Sequence, residues 1–295
     1  MPDPLRALAD AVERSPYGTH LGVVVESIAL DHVVVRVPYK DANSNPGRAL
    51  HGGVYASTID VAGVLAAATA YPEGAGESGT LDLSVTYLAA AIGEDIVAVA
   101  DVLRRGKEIV YADVDVRNDD GKRIAKGLVV HRALREGPDA AAAGRQHASR
   151  IDAAGGDEGG EIPPLARAIV SVPFMKGLAL GITQMQDGHA RLSMPFAVAK
   201  TSDGTALHEG ALAALLDTTG AMASWSLVGL DLRYKASTVA IHVSYHQPAV
   251  GEDVVAEART WRRNDEIFLN HVTVSGATSG QVIATGSVTY RIVVP

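Results

Sequence analysis

Apolar positions along the chain change their spacing in a fixed order. Residues 23–30 (VVVESIAL) and 33–39 (VVVRVPY) are β-branched runs bounded by polar turns, which read as strands. The run opening at His51 is long enough for a helix and apolar on nearly every side, with Val54, Ile59, Val61, Val64 and Leu65 spread around it. A helix of that kind must be enclosed. Period-two alternation follows at 83–88 (LSVTYL), 96–103 (IVAVADVL) and 109–118 (IVYADVDVRN). The pattern predicts an α+β unit, one long helix wrapped by a curved, mostly antiparallel sheet.

The same order then recurs. LHGGVYASTIDVAG at Leu50–Gly63 returns as LHEGALAALLDTTG at Leu207–Gly220, a shift of 157 residues. Residues 83–109 align with 241–267, so that Gly93-Glu94-Asp95 coincides with Gly251-Glu252-Asp253 and Arg104-Arg105 with Arg262-Arg263. Both halves close on a hairpin-like pattern, from Gly121 and from Gly280. Two copies of one unit follow, over 1–135 and 163–295. The stretch between them, 136–162, is rich in Ala and Gly and reads as a linker, with a short helix over 140–149 as its alternative.

Composition narrows the classes. At 295 residues, 47% hydrophobic and 20% charged, the chain has apolar material for two cores. A net charge of −8 argues against a nucleic-acid partner. No apolar run has the length of a membrane span, and the first eighteen residues carry five charges where a signal peptide needs an apolar stretch, so a cytoplasmic protein is expected. The absence of cysteine excludes disulfides and thiolate chemistry.

Within each predicted helix one aspartate, Asp60 or Asp217, sits among apolar residues. Burying a charge costs several kcal/mol unless it is partnered or neutralised. Each aspartate is therefore either held locally, by Ser57, Thr58 or Thr218, or chemically employed. His-Gly-Gly at 51–53, an aspartate nine residues after the histidine, and TLDLSVTYL at 80–88 together resemble the hotdog-fold acyl-CoA thioesterases, nearest the phenylacetate-pathway type. The resemblance covers both halves and implies a tandem double hotdog that hydrolyses a small or medium acyl-CoA, without a metal or other resident cofactor.

It also implies shared sites. In that family the N–H after the histidine stabilises the oxyanion and the aspartate comes from the facing hotdog. One site would unite Asn45, His51 and Gly52 with Asp217 and Thr238; the other would unite Ser202, His208 and Glu209 with Asp60 and Thr80. The first has the family's residues. The second departs from them, because Glu209 puts a negative side chain near a developing oxyanion and Ser202 replaces asparagine. His51 and His208 also have a plain reading as helix-start residues bonding backbone. The basic residues Arg104, Arg105, Lys107, Arg262 and Arg263 are candidates for the coenzyme A phosphates, against a plain reading as solvated surface pairs. His242 and His246 lack nearby acidic residues in sequence, and no metal is expected there. A homodimer of such chains is compatible with the fused pair. Rival readings are a non-catalytic acyl-CoA binder and, more distantly, a hotdog hydratase, whose Asp and His lie five apart whereas Asp41 and His51 lie ten apart.

Overall fold

A computed structural model describes residues 3–71, 78–133, 162–231 and 233–294. Most of the expected linker, 136–161, lies outside the described residues. The first half runs α1 (Pro4–Arg14), α2 (Pro16–Leu21), β1 (Val24–Ala29), β2 (His32–Val37), α3 (Gly52–Ala68), β3 (Ser78–Tyr87), β4 (Ile96–Arg105), β5 (Ile109–Asn118) and β6 (Arg123–Ala133). The second repeats it with α4 (Pro164–Ile169), α5 (Pro173–Leu178), β7 (Gly181–Gln186), β8 (His189–Met194), α6 (Glu209–Trp225), β9 (Lys235–Tyr245), β10 (Val254–Asn264), β11 (Ile267–Gly276) and β12 (Val282–Val293).

The twelve strands of the described residues form one sheet, in the order β1-β2-β4-β5-β6-β3-β9-β12-β11-β10-β8-β7, and their pairings are antiparallel. The halves meet at β3 and β9, where Leu83 pairs with Val243 and Val85 with Ile241. Strand burial alternates as expected; in β2, Val33, Val35 and Val37 face the core. This is the tandem double hotdog that the resemblance implied.

The central helices α3 and α6 are buried almost throughout, as their all-round apolarity demanded. They pack against each other as well as against the sheet. Their first turns make the crossing close. A Cβ on Gly53 would lie 2.5 Å from the Ala214 Cβ, and one on Gly210 would lie 2.7 Å from the Ser57 Cα. Larger residues would push the helices apart. The N-terminus of each helix thus abuts the middle of the other, which is where Asp60 and Asp217 stand.

Four short helices, α1, α2, α4 and α5, went unseen in the sequence. Asp3 caps α1 by accepting from the Leu5 N–H, and α2 carries Tyr17 across to the other half, where its N–H donates to the Thr201 carbonyl and its ring lies 4.7 Å from that of His208. In mirror fashion α5 sets Phe174 5.0 Å from the His51 ring. Pro16-Tyr17 and Pro173-Phe174 are themselves a repeat at 157 residues, the signal by which they could have been found.

Candidate active site

His51 begins α3 as its N-cap: Nδ1 accepts from the Gly53 N–H at 2.9 Å. His208 does the same for α6 through the Gly210 N–H, also at 2.9 Å. With Nδ1 accepting, each neutral ring carries its proton on Nε2. Burial holds both rings neutral, lowering His51 to about 3 and His208 to about 4. The histidines therefore act as helix caps, the plain reading given them above, and orient the first turn.

That turn faces the opposite aspartate. A Cβ on Gly52 would lie 3.1 Å from Asp217 Oδ2, so the helix start and the carboxylate share one small space. Thr238 on β9 donates to Asp217 Oδ1 at 2.6 Å. Burial raises Asp217 to about 6, against the lowering effect of the Thr238 bond. The Gly52 N–H has no intrahelical acceptor, being in the first turn, and lies at the positive end of the helix. Asn45 is half-buried in the preceding turn, closed by its N–H donating to the Ala49 carbonyl at 2.7 Å; its side-chain amide bonds no other described residue. The structure thus brings Gly52, Asp217 and Thr238 together, with a base-like carboxylate beside the Gly52 N–H.

The pseudo-equivalent site is built differently. Thr80 donates to Asp60 Oδ1 at 2.7 Å, and His208 Nδ1 lies 3.7 Å from Asp60 Oδ2. Where the first site has a glycine, Glu209 turns its carboxylate back on its own N–H, the group that would serve as oxyanion donor. Its charge also faces Asp60, whose carboxyl is raised well above the usual range, first by burial and then by Glu209. Glu209 is itself raised by burial. Asp60, His208 and Glu209 offer one donor atom each within 4.8 Å of one another, a spacing a cation could bridge. The His208 nitrogen nearest Asp60 is already taken by the Gly210 N–H, however. Ser202 is exposed in its turn and far less enclosed than this pair.

Neither aspartate is held by the hydroxyls of its own helix. Thr58 and Thr218 bond back to the Val54 and Ala214 carbonyls, and Ser57 to Gly53 and Tyr17. The partners come from strands instead, Thr80 for Asp60 and Thr238 for Asp217, the two threonines that the resemblance named.

The basic residues separate into two kinds. Arg105 donates to the Ala66 and Ala67 carbonyls, pairs with Asp31 and lies over the Tyr71 ring, so it caps the C-terminus of α3. That end is about 22 Å along the helix from Gly52, at 1.5 Å per residue. Arg263 donates to the Asp265 carbonyl and covers Phe268. Arg104, Lys107 and Arg262 are exposed at the same strand ends. His242 pairs with Asp82 and Ser84 while His246 bonds Thr285, so each has its own partners. Trp225 donates to the Tyr290 hydroxyl at 3.2 Å and stacks on Tyr234. Tyr290 pairs with Thr238 across the strands, which places this aromatic group behind the Asp217 site.

The sequence also left unremarked the tyrosine ending each seam strand. The Tyr87 ring would lie 3.5 Å from a Cβ on Gly52, and Tyr245 donates to the Glu209 carbonyl at 2.8 Å. The final Y of the T-x-D-L-x-V-x-Y strand pattern and its equivalent at 245 was the available signal.

Comparison with known proteins accords with this geometry. The sequence profile of the thioesterase superfamily matches twice, over residues 47–125 and 204–283. Mouse acyl-coenzyme A thioesterase 13 is 33% identical over 107 residues, 36% of this chain and 75% of the relative. The medium/long-chain acyl-CoA thioesterase YigI of Escherichia coli K12 is 31% identical over 94 residues, 28% of this chain and 61% of the relative. Among solved structures, a hotdog-fold protein of unknown function from Alicyclobacillus acidocaldarius superposes with a TM-score of 0.65 at 19% identity, covering 97% of this chain and 98% of that one. An acyl-CoA thioesterase II from Mycobacterium marinum gives 0.62 at 12%, covering 92% and 96%. These last two likenesses speak to the fold. With both halves matched, the chain belongs to the thioesterase superfamily.

Proposed function

We propose that this protein is an acyl-CoA thioesterase working through the Gly52–Asp217 site. The observation that carries the reading is the close approach of the α3 N-terminus to the Asp217 carboxylate. A thioester carbonyl lying between them would have its oxygen on the Gly52 N–H and its carbon within reach of a water held by Asp217. Asp217 takes a proton from that water as oxygen bonds to the carbonyl carbon; the tetrahedral oxyanion is stabilised by Gly52 N–H. The C–S bond then breaks, and the proton returns from Asp217 to the leaving thiolate. Thr238 fixes the orientation of the carboxylate, and Asn45 helps position the water. A single turnover in ¹⁸O-water that left label in the Asp217 carboxylate would point instead to direct attack by Asp217, through an anhydride opened at the aspartyl carbon.

Burial, which raises the Asp217 carboxyl to about 6, supports the assignment, since a base poised close to neutrality is ionised at working pH yet still basic. The Glu209 site is read as inactive, because its N–H donor is occupied and Asp60 tends to keep its proton. Coenzyme A enters as part of the substrate, with the exposed Arg104, Lys107 and Arg262 as candidates for its phosphates, and the mechanism needs no resident cofactor. No described helix is long and apolar enough to cross a membrane. That relatives carry the name acyl-CoA thioesterase supports a coenzyme A thioester as the substrate.

The test is thiol release from a panel of aliphatic and aromatic acyl-CoAs. Activity in the wild type that falls at least ~10²-fold in Asp217→Asn, and much less in Asp60→Asn, supports the reading. Tight acyl-CoA binding without turnover would instead make the protein a binder.

A further inference from the structure

Tyr87 ends β3 at the edge of the Gly52–Asp217 space. Its ring carbon would sit 3.5 Å from a Cβ on Gly52, which would itself be 3.1 Å from Asp217 Oδ2. Its hydroxyl is fully buried and has no hydrogen-bond partner among the described residues. Leaving a buried hydroxyl unpaired costs about 1–3 kcal/mol, so each such group in a folded protein calls for an explanation.

The other half provides an internal control. Tyr245 occupies the same position on β9, beside the equivalent helix start, and there the hydroxyl is satisfied by donating to the Glu209 carbonyl at 2.8 Å. Residue type and place on the strand are alike; the hydrogen bond differs, and so do the helix residues alongside, Gly52 and Tyr55 in one half and Glu209 and Leu212 in the other. The unpaired hydroxyl thus belongs to the site with Gly52 and an unobstructed N–H, and the paired one to the site that Glu209 obstructs.

Tyr87 is also held in place. Its ring meets Tyr55 edge-on, with centroids 6.2 Å apart and an interplanar angle of 60°, and the Tyr55 hydroxyl is anchored by accepting from the Ala91 N–H at 3.0 Å. A donor fixed before substrate arrives pays no reorganisation when charge develops. Thr238 already occupies Asp217 Oδ1, so this aspartate oxygen does not need Tyr87. The Tyr87 hydroxyl keeps its proton at any working pH, because burial and then the Asp217 charge raise it; it is a donor and not a base.

Resting on the thioesterase reading above, we propose that Tyr87 is a further catalytic residue of this site: its hydroxyl donates to the thioester carbonyl oxygen beside the Gly52 N–H, giving the oxyanion two donors. No proton is transferred. The bond strengthens as the carbonyl oxygen gains charge and weakens when the C–S bond breaks.

The test compares Tyr87→Phe, Tyr245→Phe and wild type as full-length chains. With the acyl-CoA most rapidly hydrolysed by the wild type, Tyr87→Phe should lower kcat at least ~10-fold, with KM changed less than about threefold, since the donor acts mainly on the transition state. Its Tm should stay level or rise, because the variant loses only an unpaired hydroxyl. Tyr245→Phe should show the converse, a lower Tm and unchanged kcat. A second measurement does not depend on turnover. Two unreactive acyl-CoA analogues are bound to Asp217→Asn with and without Tyr87→Phe, one a ketone with CH₂ in place of sulfur and one a thioether without the carbonyl. Tyr87→Phe should weaken the ketone at least about fivefold more than the thioether. Equal kcat in Tyr87→Phe and an active wild type, or equal loss on both analogues, overturns the role of Tyr87 while leaving the thioesterase reading intact. A wild type that hydrolyses no thioester and binds neither analogue overturns both.

Discussion

Replacing Asp217 by asparagine should stabilise the protein at pH 8 while removing its activity. The substitution keeps size and shape, and its oxygen can still accept from Thr238. What it removes is an ionised carboxylate that burial disfavours. A carboxyl with an ordinary value of 3.8 that stands at about 6 in the folded state binds its proton more tightly folded than unfolded. The unfolded chain gives up that proton first as pH rises. Stability is therefore whole below about pH 4, is lost as pH climbs towards 6, and stays at the lower level above it. The difference corresponds to about 3 kcal/mol at full ionisation. Reorganisation of the asparagine amide beside Gly52 offsets part of it, so a gain of about 1–3 kcal/mol is expected for the variant at pH 8. Asp60 and Glu209, raised in the same direction, contribute equally to both proteins and cancel. Urea unfolding of the two proteins from pH 4 to pH 8 measures it. Curves that coincide at pH 4 and separate by pH 8, with the variant above, accord with the argument. A variant that is equally or less stable at pH 8, or a gap that does not change with pH, would refute the claim that Asp217 is a buried base held at a cost.

Further outcomes follow from the same geometry. The wild-type kcat/KM should rise with pH through about 6, as Asp217 loses its proton, and remain flat towards pH 8; a profile with its only inflection near 8 would exclude this carboxylate as the essential base. In an Asp217→Asn background, Glu209→Gly should restore thiol release to at least about tenfold above the single variant, because it frees the second helix-start N–H and lowers the proton affinity of Asp60; no recovery would mean that something other than Glu209 disables that site. Arg105→Ala should lower the unfolding free energy by about 1–2 kcal/mol, through lost bonds to the last turn of α3, and leave KM for acyl-CoA within twofold; a large rise in KM would return Arg105 to the phosphate site.

What the residue pattern determined was whatever can be read along one strand or one helix. Period-two alternation placed β4 and β5, all-round apolarity required α3 and α6 to be enclosed, and the repeat at 157 residues announced two copies of one fold. It also marked Asp60 and Asp217 as carboxylates needing partners, and the family pattern pointed to Thr80 and Thr238, which do bond them. The environment of those groups was a different matter. Gly52 meets Asp217, 165 positions away, only because Gly53 and Gly210 let α3 and α6 cross closely and because β3 pairs with β9. The same crossing turns Glu209 onto its own N–H, leaves the Tyr87 hydroxyl unpaired while Tyr245 is paired, and carries Tyr17 and Phe174 onto the histidines of the opposite half. Arg105 looked like half of a surface pair until the fold laid the end of α3 beneath it. Local periodicity is written in neighbouring residues, whereas desolvation, hydrogen-bond partners and proton affinity depend on which distant atoms share a few ångströms, and only tertiary packing sets that.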